Sequence, residues 1–267
     1  MQQAKDFLEE SRDVAALISG LEADELQQKT DFKEWSIGDI IGHLYFWNRM
    51  ALLSLTDSEG FQREFAPLAE HMLAGKDLKG YEREALRTLR GLDLVATWRT
   101  QFEDTAAAYV KADPSQRCVW AGPSMSARSS ISARQMETWS HAQAIYDVLG
   151  KHRVDTDRLR NIVVLGVNTF GWSFQVRGEA VPEVKPYIEL CAPSGEIWTF
   201  NEASEENVVR GPATAFAQVV TQTRNVADTS LAVIGDVANT WMNNAQCFAG
   251  GPVKPPAQGA RYTHSDL

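Results

Sequence analysis

The sequence predicts an N-terminal four-helix bundle over residues 1–150 and a small α+β domain over residues 151–267. In the first part, apolar residues recur every three or four positions, which is the period of a helix buried along one side. In the second part, turn-rich segments separate short strand-like runs from helical ones, a mixture typical of an α+β layer. The change falls at Gly150, a residue type that commonly follows the last turn of a helix.

Four helical patterns make up the first part. They cover residues 4–21, 36–55, about 82–112, and a stretch that ends at Gly150. Between the second and third patterns, Pro67, Gly75 and Gly80 interrupt the periodicity, so we expect a loop with a short helix there. Four helices connected in this way form a bundle around one core.

The second part contains several shorter patterns. In chain order they are a helical run over about 157–174, a hairpin formed by "YIELCAP" and "EIWTFN" around "SG", a strand in "ENVVRG", a helix that Pro212 begins, a strand or extended segment in "SLAVIGD", and a helix in "VANTWMNNAQCFAG". The tail from 250 either has no fixed course or lies over the surface.

Composition limits the classes of function. The net charge is −9, and an acidic surface repels phosphate backbones, which argues against a nucleic-acid partner. No apolar stretch is long enough for a membrane span, and the N-terminus is charged from Lys5 onward, so we expect a soluble, cytoplasmic protein. Cys118, Cys191 and Cys247 are too far apart for a metal-binding pair and are predicted to be reduced and mostly buried.

Three side chains form a candidate metal site. Glu137 and His141 are four residues apart and share a helix face, while His43 lies among apolar residues of the second helix. Inward-facing groups of different helices meet in a bundle core, so two nitrogens and one oxygen could hold a catalytic divalent ion, with zinc preferred over nickel, iron or manganese. Two simpler interpretations stay open, since such a pair is often an ion pair and a lone buried histidine is often a satisfied core residue.

Two segments carry a family resemblance. "EWSIGDIIGHLYFWN" resembles the signature of DinB-like metal-binding bundles, in which its histidine supplies the first ligand. "RQMETWSHAQAIYDVLG" is similar to the second signature in the mycothiol-dependent maleylpyruvate isomerase branch; many other DinB-like proteins carry histidine where this chain has Glu137. The resemblance implies that His43, Glu137 and His141 bind a divalent metal. It also implies that a low-molecular-weight thiol such as mycothiol is a cofactor.

The second part resembles the sterol-carrier-type domain that follows the bundle in this branch. There an arginine needed for isomerisation projects toward the metal cleft, and Arg224 best matches it, although a helix-terminal arginine also stabilises the helix dipole. The segment "TFGWSFQVRGEAVPEVKP" is more similar to two-domain actinobacterial proteins, some labelled as wyosine-base-formation proteins. That label implies dealings with transfer RNA, which the acidic composition does not favour.

Three functions follow as hypotheses. The first is a metal-dependent, thiol-using S-transferase or cis–trans isomerase of a small electrophilic substrate, with Arg224, or less well Arg134, holding a substrate carboxylate. The second is a metal-dependent hydrolase that needs no thiol. The third is a non-enzymatic binder of a hydrophobic molecule, in which aromatic residues of the second domain line a tunnel. These aromatic residues are Trp172, Phe174, Trp198, Phe200 and Trp241. A homodimer is a further expectation from the resemblance.

Two polar residues near these motifs have alternative roles. Asp39, one turn before His43, either caps the second helix or orients the ligand imidazole. Arg134, one turn before Glu137, is expected to pair with that carboxylate.

Overall fold

The computed structural model describes residues 1–264, which form two compact units, Met1–Val148 and a second that begins at Leu149. The first unit is helical, and the second contains a small sheet, as the sequence predicts for the two parts of the chain. Within residues 1–264, no helix is both long enough and apolar enough to cross a bilayer.

Six helices make up the first unit. They are α1 Gln2–Leu17, α2 Ile37–Thr56, α3 Ser58–Leu73, α4 Leu78–Ala85, α5 Gly91–Lys111 and α6 Ala127–Val148. Helices α1 and α2 each pack against both α5 and α6, which makes these four the bundle, while α3 and α4 pack against α2 and each other. Large apolar side chains of all four bundle helices are fully buried between them, among them Phe7, Ile40, Trp98 and Trp139.

The expected loop with a short helix between the second and third patterns is confirmed at Gly75, which has a φ of +72° between two helices. It is wrong at Pro67 and Gly80, which lie inside helices. Most of that segment is α3, a helix of 16 residues with Pro67 inside it. Proline removes one backbone hydrogen bond from a helix interior, which is why the pattern predicts a break there. Burial of Phe61 and Leu68 against Phe46 of α2 outweighs that loss, and the proline itself faces solvent.

The prediction of one long helix from Glu82 to Ala112 is also wrong. The chain forms α4 and α5 with a break between them, where Arg90 is extended and Gly91 has a φ of +57°. Glycine adopts this left-handed conformation without a steric penalty, so the chain can turn sharply there. The apolar spacing continues across the break, and the periodicity therefore does not reveal it.

A short hairpin precedes the last bundle helix. Strands β1 Arg117–Cys118 and β2 Met125–Ser126 pair antiparallel within the predicted loop. Helix α6 then runs to Val148, and Gly150 follows with a φ of +60°. The predicted helix end is therefore confirmed.

In the described part of the second unit, residues 149–264, α-helices alternate with short strands. They are α7 Arg160–Asn168, α8 Phe170–Gln175, β3 Tyr187–Cys191, β4 Ile197–Phe200, β5 Val208–Pro212, α9 Ala213–Val220, β6 Ala232–Ile234 and α10 Asp236–Asn244. The sheet order is β4-β3-β5-β6, with β3 and β5 parallel and the other pairs antiparallel. The predicted hairpin is confirmed as β3–β4, in which Leu190 lies opposite Trp198.

Aromatic residues fill the core of the second unit. The Trp241 ring lies 5.1 Å from the Phe170 ring and 5.7 Å from the Phe216 ring, both edge-on. Phe174 and Trp198 are also buried, whereas Trp172 is 36% exposed. Close ring packing is typical of a small hydrophobic core. A ligand tunnel lined by these residues stays a prediction.

The C-terminal segment lies against the second unit. Val253 donates its N–H to Gln246 and accepts a hydrogen bond from Gln222, and Pro256 accepts one from Asn225. Of the two alternatives for the tail, these contacts confirm the one in which it lies over the surface. The last three residues of the chain lie outside the described part. None of the three cysteines, all of which lie within the described residues, forms a disulfide; Cys118 and Cys247 are buried and Cys191 is exposed.

Candidate metal centre

Helix α2 places His43 in the bundle interior. The helix begins at Ser36, whose hydroxyl accepts the Asp39 N–H while the Asp39 carboxylate accepts the Ser36 N–H, a capping box. His43 lies almost two turns further on and is 7% exposed. Asp39 therefore caps the helix, which is the first of the two roles that its position predicts.

Helix α6 places Glu137 and His141 opposite His43. His141 Nε2 lies 3.2 Å from Glu137 Oε2, and His43 Nε2 lies 3.9 Å from the same oxygen. One donor atom of each residue lies within 4.8 Å of those of the other two. The three residues that the sequence predicts as a set are therefore brought together, with the donors convergent on one small volume.

Glu82 of α4 is a fourth member of this cluster, and sequence reasoning missed it. His43 Nδ1 lies 2.9 Å from Glu82 Oε1, and the Trp47 indole N–H donates to that oxygen at 2.8 Å. Glu82 is only 4% exposed. Glu82 lies in the middle of the polar eight-residue helix α4. Only its burial distinguishes it from an ordinary surface glutamate, and burial is not visible in the sequence.

Aromatic rings surround the imidazoles. The Trp35 ring stacks on His141, with centroids 5.8 Å apart and an interplanar angle of 11°, and meets the His43 ring edge-on at 5.3 Å. Phe32 contacts His141 edge-on at 5.0 Å. The loop carrying both aromatics turns through Lys33 and Glu34, two non-glycine residues with positive φ angles of 51° and 55°. Such backbone strain is uncommon and is often concentrated at functional sites.

The charges of the cluster suit a cation. Burial alone would raise the pKa of Glu137, but His141 and His43 hold it well below its usual value. Burial lowers the pKa of His141. Burial would also lower the pKa of His43, but Glu82 and Glu137 outweigh it and raise that pKa to about 9. Metals bind an ionised carboxylate and neutral imidazoles. Glu137 and His141 therefore fit an ion as they stand, whereas His43 would release a proton when an ion binds.

The donor set fits a divalent ion of the zinc type. Two imidazole nitrogens and a carboxylate oxygen are common ligands of zinc, and three protein ligands leave a position for another group. The contact between His43 Nδ1 and Glu82 leaves Nε2 directed at the other two donors, an outer hydrogen bond that metal-ligating histidines usually have.

Arg134 is buried beside the cluster. Its Nε donates to Asn48 Oδ1 at 3.0 Å, and its positive charge helps to lower the pKa of Glu137. Within the described residues, Arg134 Nη2 and Asn48 Nδ2 have no hydrogen-bond partner. Arg134 therefore interacts with Glu137 through its charge, as expected, whereas its Nε hydrogen bond goes to Asn48.

Arg224 lies in the second unit, just after α9. It is 8% exposed, and its Nη1 donates to the carbonyl oxygen of Thr223 at 3.0 Å. Its backbone N–H donates to Gln218, in the turns that end the helix. A function for Arg224 in catalysis stays a prediction.

The first unit is a four-helix bundle that brings two imidazoles and a carboxylate together, and a small sheet-containing unit follows it in the chain. These features define a class of two-domain helix-bundle proteins. Residues 7–146 match the family model of the mycothiol maleylpyruvate isomerase N-terminal domain. The match spans more than half of the chain, and the chain belongs to this family. The resemblance inferred from the two sequence signatures is confirmed.

Relatives in sequence extend over nearly the whole chain. Two proteins of Mycobacterium tuberculosis, from two strains, are each 34% identical over 254 residues, which is 95% of this chain and 96% of theirs. Both are named only as uncharacterized proteins.

Solved structures share the fold. The crystal structure of the mycothiol-dependent maleylpyruvate isomerase has a TM-score of 0.53 at 15% identity and matches 87% of this chain and 91% of its own. A histidine-to-alanine mutant of that isomerase has a TM-score of 0.50, also at 15% identity, over 82% of this chain and 87% of its own. At this level of identity the likeness supports the combination of a helical N-terminal part with a small sheet domain.

Proposed function

We propose that this chain is a divalent-metal-dependent enzyme that uses a low-molecular-weight thiol to isomerise, or to add sulfur to, a small electrophilic substrate. The observation that carries the proposal is the convergence of His43, Glu137 and His141 within a domain of the mycothiol maleylpyruvate isomerase family. Mycothiol is the thiol named for the isomerase of similar fold, and we propose it as the cofactor here.

The three donors would hold the ion, with zinc the first candidate and nickel, iron or manganese as alternatives. When bound, a divalent ion lowers the pKa of a coordinated thiol and so makes a thiolate available at neutral pH. Trp35 and Phe32 cover His141 and keep water from that side of the donors. A nucleophile is more reactive where less water competes for it.

Substrate recognition is proposed for Arg224 in the second unit, which we also propose to be of the sterol-carrier type. A guanidinium presents a planar pair of N–H donors that matches a carboxylate, as an acidic substrate such as maleylpyruvate would offer. We expect Arg224→Lys to retain metal binding and to lower turnover of a carboxylate substrate, because lysine keeps the charge without the paired donors. Equal turnover by the variant would remove Arg224 from the mechanism.

Metal binding is the first test of the proposed function. Purified wild-type protein, His43→Ala, His141→Ala and the control His71→Ala are titrated with zinc against a chromophoric chelator. We expect about one ion per chain in the wild type and in His71→Ala, because His71 lies on α3 outside the donor set. Loss of one of three ligands should weaken affinity at least 100-fold. A wild-type protein that binds no divalent ion would contradict the proposal.

Thiol dependence is the second test. Zinc-loaded protein is assayed with maleylpyruvate, and with a panel of electrophiles, esters and lactones, each with and without mycothiol. We expect isomerisation or thioether formation only when the thiol is present. Hydrolysis of esters or lactones without thiol would instead identify a metal-dependent hydrolase.

A further inference from the structure

Helix α4 contacts the cluster through residues of one face. The helix spans Leu78–Ala85, and Asp77 caps it by accepting the Gly80 N–H at 2.7 Å. Positions 79, 82 and 83 are three and four residues apart and therefore point in the same direction. All three side chains reach α2 or the residues around the imidazoles.

Two of these side chains hold α4 to the start of α2. Arg83 donates from Nε and Nη2 to the two carboxylate oxygens of Asp39, both at 2.8 Å. Lys79 Nζ lies 3.3 Å from Asp39 and 5.8 Å from the centroid of the Trp35 ring, which itself covers both imidazoles. A bidentate arginine–carboxylate pair fixes orientation as well as distance.

The third side chain, Glu82, enters the interior. One of its oxygens lies near both His43 Nδ1 and the Trp47 indole nitrogen, so two groups of α2 orient a carboxylate supplied by α4. In the neutral imidazole, which is the form that binds a metal, an acceptor at Nδ1 keeps the proton there and leaves the Nε2 lone pair for a cation.

We propose that Glu82 is a positioning residue that holds His43 with Nε2 directed at Glu137 and His141, and that α4 is a clasp whose docking on α2 is coupled to metal binding. This inference rests on the proposed function, since it concerns the same donors. Coupling of this kind is reciprocal: if the docked clasp favours metal binding, then bound metal favours the docked clasp.

Zinc affinity tests the positioning role. Glu82→Gln keeps the shape of the side chain and removes its charge. Glu84→Gln is the matched control, because that residue is on the same helix, is largely exposed and pairs with Arg87. We expect zinc binding about 10- to 100-fold weaker in Glu82→Gln, the effect typical of outer partners of metal ligands. The control should stay within twofold of the wild type.

A double-mutant cycle tests the clasp. Arg83→Gln, which touches no proposed ligand, should weaken zinc binding several-fold by loosening α4. In the combined Glu82→Gln, Arg83→Gln variant, the second change should add little, because Arg83 acts through Glu82. Additive effects, or an Arg83→Gln variant with wild-type affinity, would overturn the clasp.

The same experiments separate this inference from the proposed function. If the wild type binds no zinc, the proposed function itself is contradicted. If the wild type binds zinc and Glu82→Gln binds it equally tightly, only the positioning role is overturned.

A second variant is used if Glu82→Gln does not fold. Trp47→Phe removes the second hydrogen-bond donor to the Glu82 carboxylate and should still weaken zinc binding several-fold. With cobalt(II) as the probe, visible absorption should shift in Trp47→Phe and Glu82→Gln but not in Glu84→Gln; unchanged spectra and affinities would overturn the inference.

Discussion

Asp39 links two helices through one carboxylate. It closes the capping box of α2 and accepts the hydrogen bonds of Arg83 from α4, and its side chain is only 7% exposed. Burial alone would raise the pKa of Asp39, but Arg83, the Ser36 N–H and Lys79 outweigh it and hold that pKa well below its usual value. The ionised form therefore stabilises the folded state.

Asp39→Asn should reduce stability in a pH-dependent way. A depressed pKa in the folded protein stabilises it above the ordinary carboxyl pKa of about 4, and this contribution decreases as the pH falls below that value. We expect Asp39→Asn to lower the free energy of unfolding by about 1 kcal/mol at pH 7, from lost charge-assisted hydrogen bonds and helix-dipole interaction, and by less at pH 3. Urea denaturation at both pH values measures the difference.

Arg87→Gln is the control for this change. It breaks the pair with Glu84, in which both side chains are more than 70% exposed, and exposed pairs contribute little. A loss in Asp39→Asn that is the same at pH 3 as at pH 7 would show that the charge is not what matters.

Residues differ in how far the sequence predicts their roles. Glu137 and His141 are four positions apart on a strongly patterned helix, so their shared direction follows from helix geometry alone. His43 needed the additional assumption that two bundle helices face each other. Glu82 lies 39 positions from His43, at the start of the pattern over residues 82–112, and its contact with His43 depends on tertiary packing.

At the scale of elements, α7 and α9 approach closely at Gly166. A Cβ atom there would lie 2.8 Å from Val220 Cγ2 and 3.0 Å from Phe216 Cε1, both side chains of α9. We expect Gly166→Ala to lower the free energy of unfolding by about 1–3 kcal/mol, because a methyl group must displace well-packed neighbours. Thermal and urea unfolding of the full chain measure it.

Gly171→Ala is the matched control on the neighbouring helix α8. A Cβ atom there would meet Val181 at ordinary contact distances of 3.7 and 3.8 Å. Alanine is the better helix former by about 1 kcal/mol, so this variant should be neutral or slightly stabilised. If both alanine variants had the same stability, close packing at Gly166 would not be the reason for glycine.

Elements were predicted well where one physical signal dominates. The capping box at Ser36 and the turn between β3 and β4 depend on residues that are neighbours in sequence. Helix α2 and the β3–β4 hairpin both form where the sequence predicts them. Helix α3 is longer than the predicted short helix, because burial of Phe61 and Leu68 outweighs the backbone hydrogen bond that Pro67 removes. The break between α4 and α5 was missed because apolar spacing passes through Gly91 unchanged.

At the scale of the whole molecule, the three proposed ligands come from α2 and α6, which pack against each other within the first unit. An ion held by both helices would join segments almost a hundred positions apart in the chain. The two helical signatures predict this convergence. Their ligands can bind the same ion only if α2 and α6 pack against each other.

Zinc should therefore stabilise the folded chain by mass action. A ligand that binds only the folded state at 100 times its dissociation constant adds about 2.7 kcal/mol to the free energy of unfolding. We expect a gain of this size in urea unfolding of the wild type and of His71→Ala, and at most about 0.4 kcal/mol in His141→Ala, whose affinity should be at least 100-fold weaker. Hydrogen exchange should locate the added protection first in α2, α4 and α6, since these helices supply the donors and Glu82. An equal gain in His141→Ala would place the ion elsewhere, because that variant lacks one of the two imidazoles on which the proposed site depends.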